Sequence, residues 1–339
     1  MPDRACTATE VSLRGYRAVV LESEHLAVVV LPDKGAEIYS ITYRPLEFDV
    51  LWKSPWGLHK TGSANSAFGG SEAAWMDSYG GGWQGIFPNG GDSCIHAGAS
   101  LGFHGEASTA NWDYTVSEKP SQVSVKMQVR LPRAPFSLVR EVSIERGSLT
   151  VTVREEARND AEESFPVMWG HHPALATELL RGARIETSAR RYEPHRPEVL
   201  SAGRVAPEDC YTWPLAIAKE GAAVDLSLLP VGEERTSEMG YLSEFESGEY
   251  RLLNRFLGLG VQLNWDKVLF PYLWYWLEWG GSFGYPFYGR CRVGALEPFS
   301  SIPGTGLVNA LERGTALLFA PGERRSTEVS MRLLPAGRD

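Results

Sequence analysis

Three short segments, far apart in the chain, each set an imidazole or a carboxyl group beside Gly or Pro. They are residues 101–108 (LGFHGEAS), 168–175 (MWGHHPAL) and 294–301 (GALEPFSS), and the groups are His104, His172 and Glu297. An imidazole titrates near neutrality, and burial can bring a carboxyl group there, so such a set on a rigid scaffold can move protons at physiological pH. Proline holds the preceding residue extended, which fixes the direction of His172 ahead of Pro173. Adjacent strand residues face opposite ways, so at most one of His171 and His172 reaches a given cavity. His172 is the one locked by the proline; His171 is left to a structural or supporting role. Gly105 lets the chain turn so that the His104 ring points into a cavity, with Trp112 as a flat apolar wall nearby. Glu297, between Leu296 and Pro298, lies outside any charge cluster. If partly buried it becomes a base near pH 7, and Arg290 or Arg292 can pair with it.

Other chemistries fit less well. Two His and one Glu are also a ligand set for a divalent ion, but helical H-E-x-x-H and H-x-H spacings are absent. There is no G-x-S-x-G, and no cysteine has an evident partner for nucleophilic catalysis. The Gly-rich stretch 80–91 lacks the strand–GxGxxG–helix context of a phosphate loop. It carries Trp83, Phe87 and Pro88, so it reads as an ordered loop in which glycine permits close backbone approach, not as a linker.

The elements that must hold these groups are strands. Residues 123–131 (VSVKMQVRL) and 149–154 (LTVTVR) alternate with period two, the mark of half-buried strands. Weaker segments of the same kind are 17–21, 25–31, 36–43, 136–145, 183–188 and 328–334, punctuated by Pro and Gly clusters. Short helices are expected near 71–77 and 254–257. No long helices alternate with strands, so a parallel α/β sheet is disfavoured and an all-β antiparallel sandwich is expected. The aromatic block 270–279 (FPYLWYWLEW) places Trp274 and Trp276 on one face of a strand. Most of its rings belong to the core, while one of these two indoles is suited to the apolar face of a sugar ring.

The chain has 339 residues, 43% hydrophobic and 22% charged, with a net charge of −9. That length buries a sizeable core in one large domain. An acidic chain of mixed charge argues against nucleic acid as the main partner and gives no sign of binding anionic membranes. Its longest aromatic-apolar run is too short to span a bilayer. The start, MPDRACTATE, lacks the apolar core of a signal peptide, and the four cysteines form no C-x-x-C pair. They read as reduced thiols in a cytoplasmic protein, with a structural disulfide as the lesser alternative.

The order HG…W, HPAL, LEP resembles the aldose 1-epimerase (galactose mutarotase-like) superfamily. So do LPDKGAEIYSITYR (31–44), GGWQGIFPNGG (81–91) and LLFAPGERRSTEVSMRLL (317–334). The resemblance runs from about residue 15 to 335. It implies a large antiparallel β-sandwich with the active site in a cleft; the domain is expected over 14–336, after a segment 1–13 that is either flexible or packed on a partner subunit. It also implies interconversion of the α and β anomers of a sugar without a cofactor. Glu297 would be the base that removes the anomeric hydroxyl proton, His172 the acid that protonates the ring oxygen, and His104 a hydrogen-bonding partner near that oxygen. Substrate-binding candidates are His171, Trp83, Gln84, Trp274, Trp276, Asp266 and Arg290. The implied partner is a monosaccharide, bound by a monomer or homodimer. The chain departs from galactose-specific members in lacking a second Gly after HG, and from the hexose-phosphate branch in lacking its nearby Arg. No Lys/Arg cluster adjoins the motifs, which favours a neutral sugar, though Arg290 and Arg292 keep a sugar phosphate in view. A non-catalytic sugar-binding protein and a metal-dependent sugar isomerase are the alternatives.

Overall fold

The computed structural model describes residues 6–63, 69–195, 202–208 and 210–336. The alternating segments pair into two antiparallel sheets packed face to face. The larger, of twelve strands, runs Thr7–Leu13, Tyr16–Glu22, Leu26–Leu31, Glu37–Tyr43, Trp83–Ile86, Gly170–Leu175, Arg292–Phe299, Tyr272–Trp279, Thr236–Ser243, Arg191–Pro194 and Tyr211–Thr212, with Phe48–Asp49 added to Glu37–Tyr43. The smaller, of eight, runs Arg184–Thr187, Glu249–Asn254, Leu259–Asn264, Arg324–Pro335, Thr150–Asn159, Phe136–Glu145, Gln122–Arg130 and Asp113–Lys119. The expected all-β antiparallel sandwich is therefore the fold.

Period-two burial shows why. Val123, Val125 and Met127 of one sheet are buried and join Val28, Val30 and Ile38 of the other in one core. Each such side chain contributes about 1.5–3 kcal/mol of transfer free energy. Edge-to-face rings of Phe136, Phe165 and Phe319 close one end of this core.

Two expectations are corrected. Residues 7–13 are a strand paired along its length with Tyr16–Glu22, not a loose segment; residues 1–5 lie outside the described part. The expected helix at 254–257 is instead the turn between Glu249–Asn254 and Leu259–Asn264. Its apolar Leu257 suggested a helix, but Asn254 holds the turn. Its amide donates to the carbonyls of Glu178, Leu179 and Arg181 and its oxygen accepts from Leu257 N. The helix expected at 71–77 is present as Gly70–Ser78.

The interior also carries charge. Arg140 and Glu155 are register partners on neighbouring strands of the smaller sheet, 3.0 Å apart and nearly inaccessible. Glu155 also accepts from the Trp169 indole at 3.0 Å and lies 3.3 Å from His171 Nε2 of the facing sheet. Burial alone would raise Glu155, but His171, Arg140 and the indole outweigh it and bring it down to about 2. Removing one partner of a buried pair strands the other charge. Arg140→Ala is expected to destabilise the fold by about 3–5 kcal/mol, read from denaturant midpoints; a loss below about 1 kcal/mol would mean that the buried Glu155 does not depend on Arg140 for its compensation.

Candidate active site

Strand register builds the site. Gly170 pairs with Phe299 and Ala174 with Ala295, which sets His172 opposite Glu297. On either side, Gln84 pairs with His172 and Trp274 with Glu297. Directly opposed residues face the same way, so Gln84, His172, Glu297 and Trp274 form a row on the face of the larger sheet turned away from the smaller one. His171 and Trp83 point to the other face, into the sandwich, where the Trp83 indole donates to His171 Nδ1 at 3.3 Å.

His172 Nε2 lies 3.6 Å from Glu297 Oε1, just beyond hydrogen-bond distance. Both residues are buried, at 5% and 2% exposure. Burial pushes Glu297 well above the usual carboxylate range and His172 down to about 4. Of one proton shared between the two, burial thus favours the carboxyl group over the imidazole. His172 Nδ1, Glu297 Oε2 and the Tyr79 hydroxyl have no hydrogen-bond partner among the described residues. Buried polar atoms are normally satisfied, so a cluster of orphans marks a place for a polar ligand.

His104 enters from a loop. Its backbone adopts φ +54, and the next residue, Gly105, has φ +69 with any Cβ falling 2.3 Å from the Phe87 carbonyl oxygen. Only glycine fits there, and the turn delivers the ring to the site, 5.6 Å from that of His172. Its backbone N–H donates to Gly91 O, and its Nδ1 accepts from Gly91 N–H at 3.2 Å. That contact assigns the ring proton to Nε2. Burial, reinforced by His172, holds its pKa well below the usual imidazole value. His104 is therefore a fixed neutral donor.

Helix Gly70–Ser78 roofs the group. Trp75 and Tyr79, one turn apart, stack at 4.7 Å. Trp75 packs on His104 at 4.7 Å and on His172 at 6.1 Å, and Tyr79 on His172 at 5.6 Å. Trp276 completes the wall, 5.5 Å from His172. Trp75 also lines a cavity of about 540 Å³ together with Lys34, Phe103 and Gly105.

The structure thus brings together His104, His172, Glu297, Gln84 and Trp276. Trp274 shares the row, but its indole stacks on Phe299 at 3.8 Å and donates to Ser301 O, so its face is covered. Four candidates lie elsewhere. His171 and Trp83 face the interior, because alternation along their strands sends them there. Asp266 is exposed at a turn, where it accepts from Val268 N and lines a surface depression on the smaller sheet. Arg290 is exposed over the Trp56 ring, 5.8 Å from its centroid. Reading the sequence missed Trp75, Tyr79 and the Lys34–Glu37 pair beside Gln84. The available signal was the i, i+4 spacing of Trp75, inside the helix expected at 71–77, and Tyr79, just past its end. Among the described residues no group of three or more His, Cys, Asp or Glu is placed to hold a metal ion, and no helix is long and apolar enough to cross a membrane.

Comparison with known proteins agrees with this architecture. A proposed aldose 1-epimerase of Klebsiella pneumoniae superposes with a TM-score of 0.75 at 14% identity, over 99% of this chain and 85% of that one. A galactose mutarotase-like protein of Clostridium acetobutylicum gives 0.69 at 12% identity, over 98% and 99%. The Slr1438 protein of Synechocystis gives 0.65 at 15% identity, over 98% and 97%. The chain has the fold of these proteins. In sequence it belongs to the family described as Domain of unknown function (DUF4432), whose model matches residues 13–333. Among curated proteins none matches it in sequence.

The buried carboxyl has a consequence that needs no substrate. Its folded pKa is raised, so as pH climbs past the unfolded carboxylate value the unfolded chain loses a proton that the folded chain keeps, and stability falls. Glu297→Gln removes this penalty. The variant is expected to melt higher than wild type at pH 8, with the gap closing near pH 4.5. A gap independent of pH would show that Glu297 is not held protonated.

Proposed function

We propose that this protein interconverts the anomers of an uncharged aldose by acid–base ring opening and reclosure. The observation that carries the reading is the cluster of orphaned polar atoms around an imidazole and a carboxyl group 3.6 Å apart. In a cyclic sugar the anomeric hydroxyl and the ring oxygen share one carbon, so two groups this close reach both. One must lack a proton and the other must carry one. A pair holding a single proton meets that need in either direction.

Burial places the shared proton on Glu297. An anomeric hydroxyl donating to a Glu297 oxygen favours the carboxylate and shifts the proton to His172. Glu297 then removes the hydroxyl proton while His172 protonates the ring oxygen. The bond from C1 to the ring oxygen breaks, and C1 becomes an aldehyde. Rotation about the bond to C2 presents the other face. Reclosure returns both protons with the roles exchanged. His104 donates from Nε2 near the ring oxygen as its charge develops. Trp276 offers an apolar surface for the ring. The absence of phosphate chemistry is supported by the two candidate arginines: Arg290 sits over Trp56 and Arg292 pairs with Glu233 at 2.5 Å.

Polarimetry or anomeric NMR across a panel of aldoses tests this. Wild type is expected to accelerate equilibration of at least one sugar, and Glu297→Gln to lose about 10²–10⁴-fold. Sugar-dependent tryptophan quenching with equilibration at the spontaneous rate would instead identify a binding protein. The pH dependence of kcat/KM follows from the one-proton pair. Below about pH 4 His172 also gains a proton and the base is lost; above the raised pKa of Glu297 the acid is lost. A bell with its acid limb near pH 4 is expected. An acid limb near 6.5, the ordinary imidazole value, would contradict the assignment.

A further inference from the structure

The row that holds His172 and Glu297 continues for two more strands. Ile38 pairs with Trp83, which sets Glu37 opposite Gln84, and Gln84 is opposite His172. Strands lie about 4.8 Å apart, so Glu37 stands about 10 Å from His172 along the row, a span that a monosaccharide with its hydroxyls bridges. Glu37 is fully buried and Gln84 nearly so. One side of each is fixed. Gln84 Nε2 donates to Glu37 Oε2 at 2.9 Å and to Gly81 O at 2.7 Å, and Lys34 Nζ lies 2.5 Å from the same Glu37 oxygen. The other side of each is unmet: Glu37 Oε1 and Gln84 Oε1 have no partner among the described residues. Tyr79, whose hydroxyl is also unmet, lies within the field of both Glu37 and Glu297.

We propose that Glu37 and Gln84 form the specificity-determining end of the site, accepting hydrogen bonds from two hydroxyl groups of the substrate remote from its anomeric carbon. This rests on the reading of His172 and Glu297 as the ring-opening pair. Both unmet atoms are acceptors only, so they call for donors. A hydroxylated sugar supplies them. A phosphate or carboxylate at that position brings further acceptors against a carboxyl group and an amide oxygen, and is rejected. Lys34 does not alter this, because its ammonium is engaged on the other oxygen of Glu37, Oε2. The substrate class is therefore an uncharged sugar with free hydroxyls at its distal carbons, recognised by acceptors that a deoxy sugar leaves stranded. A site built to bond a hydroxyl discriminates strongly against its loss.

The test uses the whole 339-residue chain with D-galactose, D-glucose, D-xylose and L-arabinose and their monodeoxy analogues, followed by anomeric NMR for turnover and tryptophan fluorescence for binding. The variants are Glu37→Gln and, because Lys34 would otherwise keep a buried unpaired charge, the double change Lys34→Met with Glu37→Gln; circular dichroism confirms that each is folded. For the sugar that wild type handles best, KM is expected to rise about tenfold or more in the folded variant while kcat falls only about threefold or less. One deoxy analogue is expected to lose about tenfold or more in wild type and about twofold or less in the variant. Turnover with KM and the deoxy penalty untouched by the variants overturns the inference and leaves the ring-opening reading standing. Sugar binding that depends on Glu37 but comes without accelerated equilibration supports the inference and overturns the ring-opening reading. Binding of none of these sugars overturns both.

Discussion

The pairing register between Gly170–Leu175 and Arg292–Phe299 is the constraint on which the site depends. A slip of one residue would turn His172 to the opposite face of the sheet and bring His171 to the site. Packing forbids the slip. A Cβ on Gly170 would fall 2.5 Å from the Phe299 ring, which in turn stacks on Trp274 at 3.8 Å. Glycine at 170 thus admits the ring that locks the strands, and the lock sets the imidazole across from the carboxyl group. Much of the aromatic density around residues 270–299 acts in this positional way, and Trp276 alone of the two outward indoles is left facing His172.

The two adjacent histidines show how environment divides roles. His171 lies between the sheets with an indole donor on one nitrogen and Glu155 near the other. His172, one residue on, has an unpartnered Nδ1 and a buried carboxyl group as its neighbour. The carboxyl groups divide in the same way. Glu155, surrounded by positive and donor groups, is brought down to about 2, whereas Glu297, buried among rings, is pushed up. The first pair ties the sandwich together. The second is left with its hydrogen-bonding capacity unspent, which is a cost in stability and a readiness for substrate.

Much of this was legible in the sequence. Alternation marked several of the long strands, because each has one face in a core and the other outside it; Phe136–Glu145 was read to the residue. Pro173 and strand alternation separated His172 from His171. Gly105 marked the turn that carries His104. What stayed hidden depends on pairing between distant strands. Glu37 looks like any strand-end carboxylate until Trp83–Ile86 is laid beside it. Asp266 and Arg290 look chemically apt but sit at exposed turns, which local composition does not reveal. The helix that carries Trp75 and ends just before Tyr79 was visible, yet its position over the site comes from tertiary packing alone. The N-terminal strand was missed because its residues are mostly exposed and show little alternation.

The central claim is that His172 and Glu297 address one hemiacetal between them. The most direct measurement is a crystal structure of the Glu297→Gln variant with a bound monosaccharide. The account predicts the anomeric hydroxyl against the side chain of residue 297 and the ring oxygen within hydrogen-bond reach of His172 Nε2. A sugar seated only in the cavity beyond Trp75, or in the surface depression beside Asp266, with the His172 side chain untouched, would contradict it.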